Sequence, residues 1–93
     1  MITDIAESQI TDSIEYYRNR AGIKIAHNLF LEIFESIERI RESPFFPIKI
    51  KSYRSYPLPK FPYILFYEVI EQSMTIKILA LFHTAQNPDK YPS

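Results

Sequence analysis

The chain has 93 residues, of which 46% are hydrophobic and 15% aromatic, and its eleven basic and eleven acidic side chains give a net charge of zero. This composition excludes an intrinsically disordered chain, and the length predicts one small domain over residues 1–93. The balanced charge excludes the large positive field that drives nonspecific binding to nucleic acid.

The chain has no cysteine, which excludes a disulfide framework and a zinc knuckle and is typical of proteins in a reducing cytosol. The first residues, MITDIAESQI, lack the basic start and apolar core of a signal peptide. No window approaches the ~18 apolar residues of a membrane span. We therefore expect a cytoplasmic protein without a membrane partner.

The first half of the chain predicts a helical hairpin. Over residues 3–19, Asp4 and Glu7 have the spacing of a capping box, and apolar residues are spaced by three and four at positions 2, 6, 10, 14 and 17. Gly22, the only glycine, suits the end of this helix. A second amphipathic helix is predicted from 23 to about 42, with apolar residues at 26, 30, 33, 37 and 40. The two prolines of SPFFP end it.

The second half predicts three strands, at 48–58 (IKIKSYRSYPL), 63–71 (YILFYEVIE) and 74–83 (MTIKILALFH). The last two are separated by Gln72 and Ser73 and read as a β-hairpin. The order of elements predicts an α+β fold in which the helical hairpin packs on one face of a three-stranded antiparallel sheet.

If Glu68 faces Lys77 in that hairpin, each residue can be assigned to a face of the sheet. We expect the helices to cover the face that carries Tyr63, Leu65, Tyr67, Val69, Ile76, Ile78, Ala80 and Phe82. The opposite, outer face carries Ile64, Phe66, Glu68, Ile70, Lys77, Leu79, Leu81 and His83. Because it is too apolar for water, we expect a partner-binding surface at Ile64, Phe66, Leu79 and Leu81. The alternative is that the C-terminal tail or the PKFP loop covers it.

Few residues are candidates for chemistry. His83 is the best one for acid–base work because its unperturbed pKa lies near neutrality, although a lone histidine at a strand end is more often structural. Lys49, Lys51 and Arg54 are spaced along one strand and form either a basic patch for phosphates or a solvated strand face. Two histidines without ligand spacing and a single glycine predict no metal site and no phosphate loop, and we expect no cofactor.

The sequence resembles the RelE/ParE superfamily of bacterial type II toxins, which includes plasmid stabilisation proteins. The matching stretches are AESQITDSIEYY at 6–17, AHNLFLEIFESIERIRESP at 26–44, YRSYPLPKFPYILFYEV at 53–69 and IKILALFHTAQNPDKYP at 76–92. The segment from the arginine to FPY, and the strand that runs into a histidine and NPDKY, are the most specific of these.

The resemblance implies a small cytosolic toxin that is neutralised by the flexible C-terminal segment of an antitoxin. Arg54 matches an arginine that holds the scissile phosphate in members that cleave mRNA on the ribosome, and Tyr91 is near their terminal tyrosine. Gln86 stands where many of those members have an arginine that stabilises charge, and we include it in the partner surface. His83 matches a histidine that is common in ParE-like members, which poison DNA gyrase.

The missing cation and the neutral chain favour the ParE-like function, in which the toxin binds gyrase. The alternatives are an mRNA endoribonuclease, with Lys49, Lys51, Arg54, His83 and Tyr91 around a phosphate, and an inactive remnant that only binds. Family members begin with a strand, whereas this chain begins at the helix, so either the start lies upstream or the sheet lacks that strand. An unpaired strand edge would predict a homodimer or a strand-donating contact.

Overall fold

The structure is a computed structural model that describes residues 1–45, 49–50 and 52–85, with the side chains of residues 49 and 50 left out. Two helices precede the sheet, namely α1 (Asp4–Ala21) and α2 (Ile23–Glu42). The strands are β1 (Lys49–Ile50), β2 (Tyr53–Pro57), β3 (Tyr63–Ile70) and β4 (Thr75–His83). They form an antiparallel sheet in the order β1-β2-β3-β4. The predicted α+β fold is confirmed.

The predicted strand over 48–58 is divided in the structure. The chain turns back after Ile50, so that Ile50 lies opposite Tyr53 and the two-residue β1 pairs with β2. The three longer strands, β2, β3 and β4, are the three that the sequence predicts.

The helical hairpin forms where the sequence predicts it. The Thr3 hydroxyl caps α1 by accepting a hydrogen bond from the backbone N–H of Ala6 at 3.1 Å. Gly22 then separates the helices with a φ of 95°, a left-handed value that costs glycine little. Its carbonyl accepts the first hydrogen bond of α2, from Ala26 at 3.2 Å. One residue is therefore enough to reverse the chain.

The helices and the sheet enclose an inner hydrophobic cluster. Its helical members are Ala6, Ile10, Leu29, Ile33, Ile37 and Ile40, and its sheet members are Tyr56, Leu58, Tyr63, Leu65, Tyr67, Ile78 and Leu81. Leu29, Ile33, Ile40, Leu65 and Tyr67 have no exposed surface. This cluster is the main core of the protein, because burial of apolar surface is the dominant favourable term in folding.

The outer edge of β4 is occupied by other parts of the chain. The N–H of Ile78 donates to the carbonyl of Met1 at 2.8 Å, and the N–H of Thr3 donates to the carbonyl of Ile78 at 3.1 Å. Further along, the N–H of Leu81 donates to the side-chain oxygen of Gln9 at 2.9 Å. The first three residues therefore run parallel to β4 through one bridge. The expected unpaired edge is closed along this part of β4.

A β-bulge in β4 changes the face assignment of that strand. Phe66 lies opposite Ala80, but Tyr67 lies opposite Ile78, so Leu79 is an extra residue between them. The predicted pairing of Glu68 with Lys77 is confirmed before the bulge. Beyond it every side chain changes face, because strand residues alternate with a period of two.

The predicted faces beyond the bulge are therefore wrong. Ala80 and Phe82, which we expected under the helices, belong to a cluster on the outer face. Leu81, which we expected on the partner surface, belongs to the inner cluster and is 3% exposed. His83 also changes side, because it lies opposite the inner residue Tyr63.

The outer face is a second hydrophobic core and not an open surface. Tyr53, Phe66, Ala80 and Phe82 are buried there, with Ile64 and Leu79 partly buried against them. Phe66 has no exposed surface, and its ring meets those of Tyr53 and Phe82 edge to face at centroid distances of 5.4 and 5.8 Å. The expectation that Phe66 is exposed for a partner is wrong, because the single chain already buries it.

Candidate functional site

The structure separates two of the residues predicted to surround a phosphate. Arg54 lies opposite Tyr67 in the middle of β3, whereas His83 lies opposite Tyr63 at the start of that strand. Four residues along β3 and two strand spacings separate them, so their Cα atoms are roughly 17 Å apart. The two residues therefore lie opposite different positions of β3 and on different neighbouring strands.

Arg54 and His83 have different surroundings. The guanidinium of Arg54 lies over the ring of Phe45, 5.2 Å from its centroid. The Nδ1 atom of His83 accepts a hydrogen bond from the N–H of Ala85 at 3.0 Å, and its ring meets Tyr63 edge to face at 5.1 Å. Because Nδ1 is an acceptor, the neutral ring carries its proton on Nε2.

The other predicted site residues are not placed by the structure. Lys51, Gln86 and Tyr91 lie outside the described residues, and the side chain of Lys49 is not described. Their proposed roles stay predictions.

Metal binding and membrane insertion find no support in the described part of the chain. Residues 1–45, 49–50 and 52–85 contain no group of three histidine, cysteine or acidic side chains that could hold a metal ion. Neither of the described helices is long and apolar enough to cross a membrane.

An exposed apolar surface lies on the helical hairpin. Ile23 is 75% exposed, Phe30 43% and Phe34 38%, and all three lie on one side of α2. The ring of Phe30 stacks on His27 at 6.3 Å and contacts that of Phe34 at 4.9 Å. These rings form an aromatic row that no other described element covers.

Two cavities lie at the ends of this aromatic row, and we call the whole surface the hairpin groove. The first cavity, of about 330 Å³, is lined by Ile14, Arg18, Ile23, Ala26, His27 and Phe30. The second, of about 180 Å³, is lined by Met1, Ile2, Phe34, Ile37, Glu38, Arg41, Ile76 and Ile78. The contact between the rings of Phe30 and Phe34 joins the two.

An arginine lies at each end of the hairpin groove. Arg18 pairs with Glu15 at 3.4 Å, and Arg41 pairs with Glu38 at 2.9 Å. All four side chains are more than half exposed, so each pair contributes only about 0–1 kcal/mol and can exchange for a partner's charge.

Sequence reasoning missed this groove because it assigned Phe30 to the core-facing stripe of the second helix. A signal was available in the sequence. Besides the buried stripe, α2 carries Ile23, Ile25, Phe30, Leu31 and Phe34, all at least 37% exposed. Its apolar arc is wider than one core-facing stripe requires, which indicates a second contact surface.

Comparisons with known proteins identify one family and one similar fold. The family model described as the ParE toxin of the type II toxin–antitoxin system parDE matches residues 1–88. The chain is also similar to a solved structure of the chromosomal ParDE system from P. aeruginosa, with a TM-score of 0.76 and 17% identity over 88% of this chain and 90% of that chain. At this identity the likeness shows the fold. No curated protein matches the sequence.

Proposed function

Because the chain belongs to the ParE toxin family of type II toxin–antitoxin systems, we propose that it stops bacterial growth by binding DNA gyrase and that an antitoxin helix in the hairpin groove neutralises it. The family match carries the toxin assignment. The exposed aromatic row on α2 supports the proposed binding site of the antitoxin.

The distance between Arg54 and His83 favours binding over RNA cleavage. Cleavage through the 2′-hydroxyl needs cations and a proton-transfer group around one phosphate, because negative charge grows there in the transition state. The Cα atoms of the two described candidates are roughly 17 Å apart, and their side chains contact different rings, those of Phe45 and Tyr63. A toxin that acts by binding a protein surface needs no such arrangement of catalytic groups.

The hairpin groove suits an amphipathic helix. From Ile23 to Arg41 it extends about 27 Å along α2, the length of about five helical turns. A helix in this groove would place residues of one face against Ile23, Phe30 and Phe34, the spacing that helix-in-groove complexes use. The arginines at the two ends favour acidic groups at the ends of that helix.

Inducible expression tests the toxin assignment and its target. We expect slower growth, accumulation of gyrase-cleaved DNA in a supercoiling assay, and intact mRNA. If mRNA is cleaved instead and Arg54→Ala abolishes the cleavage, the endoribonuclease alternative is correct. If growth is unaffected and neither signal appears, the inactive-remnant alternative is correct.

Matched variants of α2 test the location of the antitoxin. The partner is the product of the adjacent reading frame, expected to be a small acidic protein with a DNA-binding head. The double variant Phe30→Ala/Phe34→Ala should weaken binding about 100-fold, because exposed aromatic residues in a groove are typical hot spots. Ile25→Ala is the control, because Ile25 is 37% exposed on the same helix but lies outside the groove. Equal losses for both variants would place the antitoxin elsewhere, whatever the toxicity result.

A further inference from the structure

A second cleft, of about 270 Å³, lies between α1 and the sheet, apart from the hairpin groove. Four side chains on one face of α1 line one wall, and residues at the start of β3 and the end of β4 line the other. The side chains used below are Gln9, Asp12, Ser13, Tyr16, Tyr63 and His83. We call it the α1–β4 cleft.

The α1–β4 cleft contains the phenol of Tyr63, whose hydroxyl has no hydrogen-bond partner among the described residues. Tyr63 as a whole is 8% exposed. The Tyr63 hydroxyl has some solvent-accessible surface, so a ligand in the cleft can reach it. Burial raises the pKa of Tyr63 to about 12, so the phenol is neutral near pH 7. The Tyr63 hydroxyl is therefore available to a ligand in the cleft, as donor or as acceptor.

The α1 wall offers the side-chain oxygens of Ser13 and Asp12 beside the amide N–H groups of Gln9, whose oxygen already accepts from Leu81. The Ser13 hydroxyl donates its proton to the carbonyl of Ile10 at 2.8 Å, which leaves the lone pairs of its oxygen. Asp12 is exposed, and in the described part of the chain its carboxylate has no ion-pair partner. A ligand with several donors and a positive charge suits the oxygens of Ser13 and Asp12.

Aromatic rings complete the site. Tyr16 and Tyr63 line the cleft beside Asp12, and His83 contacts the ring of Tyr63. The guanidinium of the chain's own Arg20 already lies 4.9 Å from the Tyr16 ring centroid, so this ring accepts a guanidinium on at least one face.

We propose that the α1–β4 cleft binds the guanidinium of an arginine from a partner protein. The planar fork of five donors reaches the Asp12 carboxylate and the Tyr63 hydroxyl together, while the aromatic rings cover its faces. This site is independent of the antitoxin groove and of the choice between gyrase and another target.

The test is an NMR titration of the whole chain with N-acetyl-L-arginine amide, a stand-in for an arginine within a protein. N-acetyl-L-citrulline amide, which has nearly the same shape without the charge, is the matched neutral ligand. We expect saturable shifts of the backbone amides of Gln9, Asp12, Ser13 and Leu81 with the arginine ligand. Citrulline should bind about tenfold more weakly or not at all.

Variants of acidic residues on α1 distinguish binding in the cleft from nonspecific attraction between the positive ligand and negative side chains. Asp12→Asn should weaken binding about fivefold or more, whereas Glu15→Gln, an acidic residue of α1 outside the cleft, should change it less than about twofold. Tyr63→Phe, which removes only the hydroxyl, should weaken it about threefold. Circular dichroism shows that each variant is folded.

Three results would overturn the proposal. The first is the absence of saturable shifts in the cleft, and the second is equal binding of the citrulline ligand. The third is tighter binding of free L-arginine, whose α-carboxylate the protein-borne residue lacks, because that would assign the cleft to a small molecule.

Discussion

Replacing Phe66 tests whether the outer face of the sheet is a second core or a surface kept open for a partner. Phe66 has no exposed surface and lies between the rings of Tyr53 and Phe82. Removing a buried phenylalanine ring leaves a cavity, so Phe66→Ala should lower the free energy of unfolding by about 3–5 kcal/mol. In a domain of this size that corresponds to a fall of the melting temperature of about 15–30 °C.

The measurement is urea unfolding of the isolated chain, followed by circular dichroism, with the slope compared between variants. Met74→Ala is the control, because Met74 is 70% exposed in the turn after β3, and its loss should stay within about 0.5 kcal/mol. If Phe66→Ala does not fold, Phe66→Leu should still lose about 1 kcal/mol. A loss below about 1 kcal/mol for Phe66→Ala would refute the second core and restore the partner surface predicted from the sequence.

Other predictions follow from the same structure. Glu32→Ala should lower the free energy of unfolding by about 1–3 kcal/mol, and Glu32→Gln by less, because one carboxylate oxygen accepts from two backbone N–H groups of the β2–β3 loop at 2.9 and 3.0 Å. Urea unfolding at pH 7 measures both, and equal losses would contradict the role of the acceptor. Burial, with two neighbouring tyrosines, raises the pKa of Tyr63 from 10.0 to about 12. The folded chain therefore retains a proton that the unfolded chain loses as pH rises through this window, so stability should fall from about pH 10 to 12, and Tyr63→Phe should reduce that fall. The urea unfolding midpoints of the unmodified chain and of Tyr63→Phe, measured across this pH window, test the role of Tyr63. Identical pH profiles would contradict it. The homodimer expected from the sequence stays a prediction. Sedimentation at high micromolar concentration tests it, and a monomer would mean that residues 1–3 protect the edge of β4.

The sequence by itself determined the order of the longer elements and the bounds of both helices and of the last two strands, but not the division of the first strand. Helices predicted at 3–19 and 23–42 are observed at Asp4–Ala21 and Ile23–Glu42, and the last two strands agree to within a residue or two. These features follow from local physics, namely the spacing of apolar side chains, the cap at Thr3 and the left-handed geometry that Gly22 permits.

Only the tertiary structure decided which faces are buried. Leu79 adds one residue to β4, and that single residue exchanges the faces of Leu81 and Phe82. The bulge and the pairing that creates it depend on a neighbouring strand, which no local pattern records. The outer core around Phe66 and the exposed row on α2 have the same origin, because burial depends on which distant segments meet.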